Sequence, residues 1–562
     1  MRILLVASAF NSLTQRIFAE LRDREHDVHA LTVSRGGHAA LRDEVARRVP
    51  ELIIAPMLTT AIPEDVWALH RCLVVHPGPP GDRGPSALDW ALGEGVRRWG
   101  VTVLEAVAEL DAGDVWAHAT FEVPPVPKSD LYRNELADAA TSAVLLAVER
   151  VASGDYRPVP QRELAEEIVS RPRMRQESRR VDWSSDSTDT VLTKLRAADS
   201  RPGVRDTLLG QEWFLHGGHP EERLRGAPGE LLATRSGALC RATADGAVWL
   251  TGLRRAASPG RPAGFPLPAT QALGHLLPRL PERPAPLRPP PTWRTFSDIW
   301  YEERESVGFV RFSFPGGAMR TSQCRRLLAV YRYARSRPVS VIVLGGVRDL
   351  FSHGIHLNVI EAADDPAAES WENLNALNDL VEAVLRTTDQ LVVSALGGGA
   401  AAGGVSLALA ADEVWCRRGV VLNPHYRLMG LYGSEYWTYV LPRRVGEETT
   451  EALRHEALPV SAWQADRLGM VDRVLDCSPA DFAGQVAAQA GDLAQDPALQ
   501  ARLAEKKLRR ERDEERKPLQ RYREEEGERM RAQFFDPHSP YHGLRAAFVR
   551  KRPLERAGDR TR

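Results

Sequence analysis

The chain has 562 residues, 43% hydrophobic and 27% charged, with a formal net charge of -1; at about 150 residues per domain this length implies about three to four folded units. So even a balance of charge excludes a global electrostatic fit to nucleic acid, and the composition is that of a globular protein. The five cysteines, Cys72, Cys240, Cys324, Cys416 and Cys477, form no CxxC pair and stand at no zinc spacing to histidine, so a reduced, cytoplasmic setting and no metal site are expected. MRILLVASAF is too short an apolar run for a signal peptide, and no later run reaches the ~18 residues of a membrane span. Before residue 500 the lysines are Lys128 and Lys194, and no GxxxxGK[ST] loop occurs, which removes ATPase chemistry and leaves little room for a lysine Schiff base.

From the start, apolar runs alternate with helix-like stretches: RILLVAS, a helix through Gln15, ELIIAPML, Pro63 to His70, RCLVVHPG, Ser86 to Gly95, VTVLEAV. The rhythm predicts an α/β, doubly wound domain over 1–160, whose near-continuously apolar strands are covered on both faces and whose ligands sit at strand carboxyl ends. Over 175–285 a short helix is followed by strand-like runs separated by Gly and Pro, which reads as a small β-barrel-like (OB-like) domain. PRLPERPAPLRPPP then predicts a semi-rigid spacer and a boundary. The βα rhythm returns over 286–490, through VSVIVLGG and QLVVSALGGGAAAGGVSLALAADEVWC. Residues 491–562 carry dense charge of both signs, as either a solvated terminal helix or a partner-binding arm would.

In VVHPGPPGDRGPSALDWAL, His76 follows an apolar strand, and Asp111 stands in a Leu-Asp-Ala-Gly turn after another. Taken alone, the two fit either an acid/base pair, with the carboxylate fixing the imidazole tautomer, or ordinary turn residues. The region resembles the folate-dependent formyltransferases, whose site joins an Asn-x-His-Pro strand end to an [LV]-Asp-[AT]-Gly turn. His76-Pro77 and Asp111-Ala112-Gly113 match those two motifs. The resemblance implies a 10-formyltetrahydrofolate site with His76 and Asp111 catalytic, and Pro77, Gly78 and Gly113 shaping it. It extends through VDW and RAADSRPG into the second region. The family's asparagine is replaced by Val74, and losing one such oxyanion donor costs on the order of 100-fold to 1000-fold in rate. Candidate replacements are Arg83, the amides of Gly81 and Gly84, and Asn11.

SVIVLGGVRDLFSHGIHLNVIEA and SALGGGAAAGGVSLALAAD resemble the two motifs of the enoyl-CoA hydratase/isomerase (crotonase) family, which supply two backbone N–H groups to a thioester oxygen. The resemblance implies a coenzyme A thioester site, with the amides of Ile355 and Gly403 as donors and Gly354 and Gly404 permitting close approach. Where hydratases place glutamates stand Ser406 and, approximately, His425, and His356 replaces a usual aspartate. Water addition needs a paired acid and base, so hydratase activity is not expected. Beyond His425, NPHYRLMGLYGSEYWTYVLPRRVG sets Tyr426 and Glu435 where they can enter the acyl pocket, while its aromatics read as helix packing.

A formyltransferase joined to a crotonase in one chain resembles the HypX/HoxX hydrogenase maturation proteins. That resemblance implies formyl transfer from 10-formyltetrahydrofolate to coenzyme A, then decarbonylation of formyl-CoA to carbon monoxide for a nickel–iron hydrogenase active site. Glu435 would be the proton acceptor, helped by Tyr426. Small molecules and the hydrogenase large subunit or its maturation complex are the implied partners, with neither nucleic acid nor membrane. Two other readings fit the departures: a formyltransferase for another acceptor with a regulatory crotonase part, and a non-enzymatic CoA-binding scaffold.

Overall fold

Six strands build the first sheet: β1 (Arg2–Ala7), β2 (Asp27–Thr32), β3 (Leu52–Met57), β4 (Cys72–His76), β5 (Arg98–Glu105) and β6 (Val115–Glu122). Their order is β2-β1-β3-β4-β5-β6, parallel as far as β4 and antiparallel beyond it. Leu4 and Val6 of β1 and Ile53 and Ala55 of β3 pack on Leu41 and Val45 in one cluster. The intervening Leu5 and Ile54 are equally buried, the two-sided burial that makes such strands read as continuous apolar runs. Helices α1 (Ser12–Arg22) and α2 (Glu135–Ser153) pack together, and α2 lies along β5 and β6. The chain's order reverses beside β1, which makes the sheet doubly wound as expected.

This computed structural model describes residues 1–34, 36–290 and 292–552. Pro291 of the expected spacer and 553–562 of the expected tail lie outside the described residues. The second sheet contains β7 (Val204–Leu208), β8 (Gln211–Glu221), β9 (Leu231–Arg235), β10 (Ala238–Ala242) and β11 (Ala247–Arg255) in the order β9-β10-β11-β8-β7. By main-chain packing one unit comprises Met1–Gly218, Gly226–Glu230 and Ala242–Val248, and the other His219–Arg225, Leu231–Arg241 and Trp249–Arg562. Within the second unit, the proline-rich stretch does not stand free. Thr234 N–H donates to Pro281 O (3.0 Å), Arg283 N–H to Thr234 O (2.9 Å) and Tyr301 N–H to Leu287 O (2.8 Å). Prolines cannot donate, but the residues between them keep the main-chain groups that pair along β9.

The third sheet runs β12 (Ile299–Arg304), β13 (Val307–Phe312), β14 (Val341–Gly345), β15 (Leu391–Leu396), β16 (Glu413–Arg417) and β17 (Arg473–Leu475), in that order. After the antiparallel β12–β13 pair all strands are parallel. Side chains alternate between two cores: Ile342 and Leu344 join α3 (Thr321–Arg335) and α4 (Pro366–Leu385), while Val341 and Val343 meet Phe482 and Val486. The terminal segment forms α7 (Leu499–Arg516), α8 (Leu519–Phe535) and α9 (Pro540–Val549). It is not a solvated helix: Met530, Phe534 and Tyr541 are buried with Leu374, Lys506 binds Gln390 O at 2.8 Å, and Arg523 binds Glu382 at 2.9 Å. A thin apolar stripe among abundant charges conceals such packing, because long charged side chains cover neighbouring surface with their stems. Among the described residues no helix is long and apolar enough to cross a membrane.

Candidate active site

In the first unit, His76 closes β4 opposite Thr102 of β5, and its side chain is 3% exposed. Its Nε2 lies 2.9 Å from Asp82 Oδ2 and its Nδ1 3.4 Å from Asp111 Oδ2. The sequence pair thus meets, but a second carboxylate, Asp82, completes it. The turn after β4 folds back tightly: a Cβ on Gly78 would stand 2.4 Å from Asp82 Oδ2 and 2.5 Å from His76 Nε2, so only glycine fits. Pro77 fixes the strand's exit, its carbonyl accepting from Trp99 Nε1 at 2.8 Å. Asp111 adopts a left-handed φ of 57°, and Gly113 presses so close to Glu105 that a Cβ would lie 2.0 Å from its carbonyl oxygen. Gln161, unseen in the sequence, stitches the two turns: it donates to Asp111 O (2.7 Å) and Gly113 O (3.0 Å) and accepts from Gly81 N–H (3.1 Å).

Burial pulls the His76 imidazole down, but its bonds to Asp111 and Asp82 outweigh this and raise it to about 9. Burial pushes Asp111 up, and the opposing pull of His76, the Gly84 amide and Arg83 holds it below its usual range. Near neutral pH the ring is therefore an imidazolium between two carboxylates. A raised histidine stabilises the fold fully below its unfolded pKa of about 6.5, and loses that contribution as pH rises through about 9. Thermal unfolding should accordingly show a stability loss of order 3 kcal/mol between those pH values; His76→Asn is expected to flatten that slope.

Of the candidates to replace the missing asparagine, most are already engaged. Val74 lies in the sheet between Ala55 and Leu104 and offers no donor. Asn11 caps α1, accepting from Thr14 N–H at 3.0 Å and donating to Tyr132 Oη at 2.8 Å. The Gly81 and Gly84 amides donate to Gln161 and Asp111. Arg83 gives Nη1 to Glu109 at 2.7 Å, yet its buried Nε has no acceptor among the described residues.

In the second unit, β14 and β15 each end in a glycine turn, and the two turns lie against each other. Ala401 N–H donates to Ser352 O (2.9 Å) and Met319 N–H to Gly354 O (2.8 Å). A Cβ on Gly354 would lie 3.3 Å from Gly403 N, and one on Gly404 2.0 Å from Ser352 O. The amides of Ile355 and Gly403, the latter opening α5 (Gly403–Leu409), have no acceptor among the described residues. The two turns thus each leave one amide without an acceptor, the second at the start of a helix.

Against this pair stands Glu435, 2% exposed. A Cβ on Gly403 would meet its Cδ and Oε1 at 2.7 Å. Tyr426 Oη lies 2.8 Å from Glu435 Oε2 and 3.0 Å from Ser406 Oγ. Burial pushes Glu435 up to about 8, the Tyr426 bond opposing and Glu526 reinforcing the shift. The replaced hydratase positions are neutral: burial lowers both His356 and His425 to about 4. His356 Nδ1 caps the helix Leu357–Glu361 by accepting from Val359 N–H at 3.3 Å. A small cavity of about 10 Å³ beside Tyr426 is lined by Ala402, Ser406, Leu409, Pro424 and Trp437. Asn378 and Glu526, which hold the Glu435 segment, carry no local sequence signal.

The formyl transferase family profile matches residues 15–148, the formyl transferase C-terminal domain profile 173–260, and the enoyl-CoA hydratase/isomerase profile 302–556. The chain is 47% identical over 558 residues to the hydrogenase maturation factor HoxX of Bradyrhizobium diazoefficiens, covering 99% of this chain and 96% of that one. The crystal structure of HypX from Aquifex aeolicus in complex with tetrahydrofolic acid superposes with a TM-score of 0.94 at 43% identity, covering 99% of this chain and 97% of that one. The methionyl-tRNA formyltransferase of Streptococcus agalactiae is 30% identical over 180 residues, 32% of this chain and 57% of that one.

Proposed function

As the chain belongs to the HypX/HoxX family of hydrogenase maturation factors, we propose that it makes carbon monoxide for a nickel–iron hydrogenase, by formyl transfer from 10-formyltetrahydrofolate to coenzyme A and decarbonylation of the resulting formyl-CoA. 10-Formyltetrahydrofolate is the substrate and coenzyme A the carrier, regenerated in the second step, with tetrahydrofolate and carbon monoxide leaving as products. The relative from Aquifex aeolicus was crystallised with tetrahydrofolic acid, which supports a folate donor. The reaction runs in the cytoplasm on this reading, consistent with five unbridged cysteines.

In the first step the thiol sulfur attacks the formyl carbon and the bond from carbon to the folate N10 breaks. The thiol proton passes to the nitrogen through His76 and its two carboxylates, with Arg83 Nε the remaining donor for the developing oxyanion. In the second step the carbonyl oxygen rests on the Ile355 and Gly403 amides. A formyl thioester has no α-carbon, so no enolate can form. Glu435 removes the formyl hydrogen as a proton, the electron pair stays on carbon, the carbon–sulfur bond breaks toward sulfur, and the thiolate recovers the proton. Atoms balance as formyl-CoA giving carbon monoxide and coenzyme A.

The observation that carries this reading is the Glu435–Tyr426 pair set on the Gly403 edge of two free amides, while the positions where a hydratase holds its glutamates carry Ser406 and, approximately, His425. The direct test is incubation with 10-formyltetrahydrofolate and coenzyme A beside a reduced haem protein that reports carbon monoxide. Tetrahydrofolate release without carbon monoxide would remove the second half of the reading, and release of neither would remove both.

Gly403→Ala separates the steps. The added methyl meets the Glu435 carboxyl at 2.7 Å, so the carboxylate must move. Carbon monoxide formation is expected to fall on the order of 100-fold, the scale of misplacing a catalytic group by about 1 Å, while single-turnover tetrahydrofolate release stays within about twofold.

A further inference from the structure

The segment carrying Glu435 is bent in a way that its own residues disfavour. Gly433, Glu435 and Tyr436 have φ of 102°, 60° and 59°, and two consecutive bulky residues in the left-handed region persist only when their surroundings over-determine them. Two buried side chains do so. Asn378 of α4 accepts from Glu435 N–H at 2.9 Å and Ser434 Oγ at 3.1 Å. Glu526 of α8, 90 residues along the chain from Tyr436, accepts from Tyr436 N–H at 2.9 Å with Oε2 and from Thr438 N–H at 2.9 Å with Oε1. Those amides open α6 (Trp437–Val445), so Glu526 caps this helix from the terminal segment. It is 1% exposed, and among the described residues no arginine or lysine forms an ion pair with it. A buried carboxylate without a cation is costly unless amide donors and a helix N-terminus compensate it.

We propose that Glu526 is a positioning residue for Glu435: by capping α6 and holding the left-handed Glu435–Tyr436 bend, the C-terminal helix sets where the reacting carboxylate meets Gly403. This rests on Glu435 being the proton acceptor. The groups around the pair are Tyr426 from the loop after Asn423, Cys324 from α3, Asn378 from α4 and, beyond Tyr436, the Glu382–Arg523 ion pair at 2.9 Å. Burial raises both carboxyls, Glu526 to about 7 and Glu435 to about 8, and the Glu526 charge adds to the rise at Glu435.

Glu526→Gln keeps an acceptor for the cap and removes the charge. The acidic limb of carbon monoxide formation from formyl-CoA should move to lower pH by about one unit, as loss of a buried like charge implies. The protonated-carboxyl infrared band that disappears in Glu435→Gln should titrate earlier by the same amount. A role in stability alone would lower the rate at every pH and leave both titrations in place, which overturns the proposal. If the wild type makes no carbon monoxide but the infrared shift appears, the coupling stands and the proposed reaction falls. Should the glutamine variant fail to fold, Glu526→Asp retains the charge but shortens the reach. It should keep the band's titration and lose up to about 100-fold in kcat, the scale of misplacing a catalytic group by about 1 Å; wild-type kcat in that variant would equally overturn the proposal.

Discussion

Glu435→Gln should stop carbon monoxide release almost completely and let formyl-CoA accumulate from 10-formyltetrahydrofolate and coenzyme A. Removal of a general base costs about 100-fold to 10,000-fold, and the amide retains the shape and can still accept from Tyr426 at the 2.8 Å site. Stability should not suffer. A carboxyl raised to about 8 by burial keeps a proton in the folded state that the unfolded chain releases near pH 4.5, so wild-type stability declines as pH rises from about 4.5 to about 8. The neutral amide lacks that decline, and at pH 8 the variant should melt at or above the wild-type temperature. Rapid mixing with formyl-CoA, read by a haem reporter, and a melting curve at two pH values check both parts. Carbon monoxide at the parent rate would move the base elsewhere, with Tyr426 the nearest alternative.

His76→Ala is expected to lose about 100-fold to 10,000-fold in tetrahydrofolate release, the range of a general acid or base. A strand-end histidine suggests from sequence that the fold would be untouched by this change. The structure corrects that view: the ring is buried between Asp82 and Asp111, and its removal leaves two carboxylates facing an empty site, with Arg171 at 2.8 Å compensating only Asp82. Leaving a buried charge unpaired costs about 3 to 5 kcal/mol. The variant should therefore melt lower than the wild type near neutral pH and recover part of the difference in acid, where the carboxylates are protonated. Tetrahydrofolate release at the wild-type rate in a folded His76→Ala protein would separate this cluster from the chemistry.

Much of the site was legible because its chemistry depends on short-range geometry. A strand end followed by His-Pro-Gly, a Leu-Asp-Ala-Gly turn, and two glycine-rich turns each occupy a few consecutive residues, and their backbone demands leave a mark in composition. Asp82 lay in the same stretch, six positions beyond His76, and the folding back that joins them is written only in the impossibility of a Cβ at Gly78. Gln161, Asn378 and Glu526 left no such mark, since a lone polar residue on a helix looks alike whether it meets water or a distant main-chain amide.

By itself the sequence determined the alternation of strands and helices, the two-sided burial of the parallel strands and the positions of the two glycine-rich turns, all of which follow from periodicity and local backbone sterics. The tertiary structure alone decided the charge state of His76, the raised carboxyl of Glu435, the pairing of the proline-rich stretch along β9 and the burial of the charged terminal helices. Each of these depends on desolvation and on partners brought from tens to hundreds of residues away. Electrostatic energies change steeply with burial and with ångström-scale separation, quantities that no local pattern of residue types encodes.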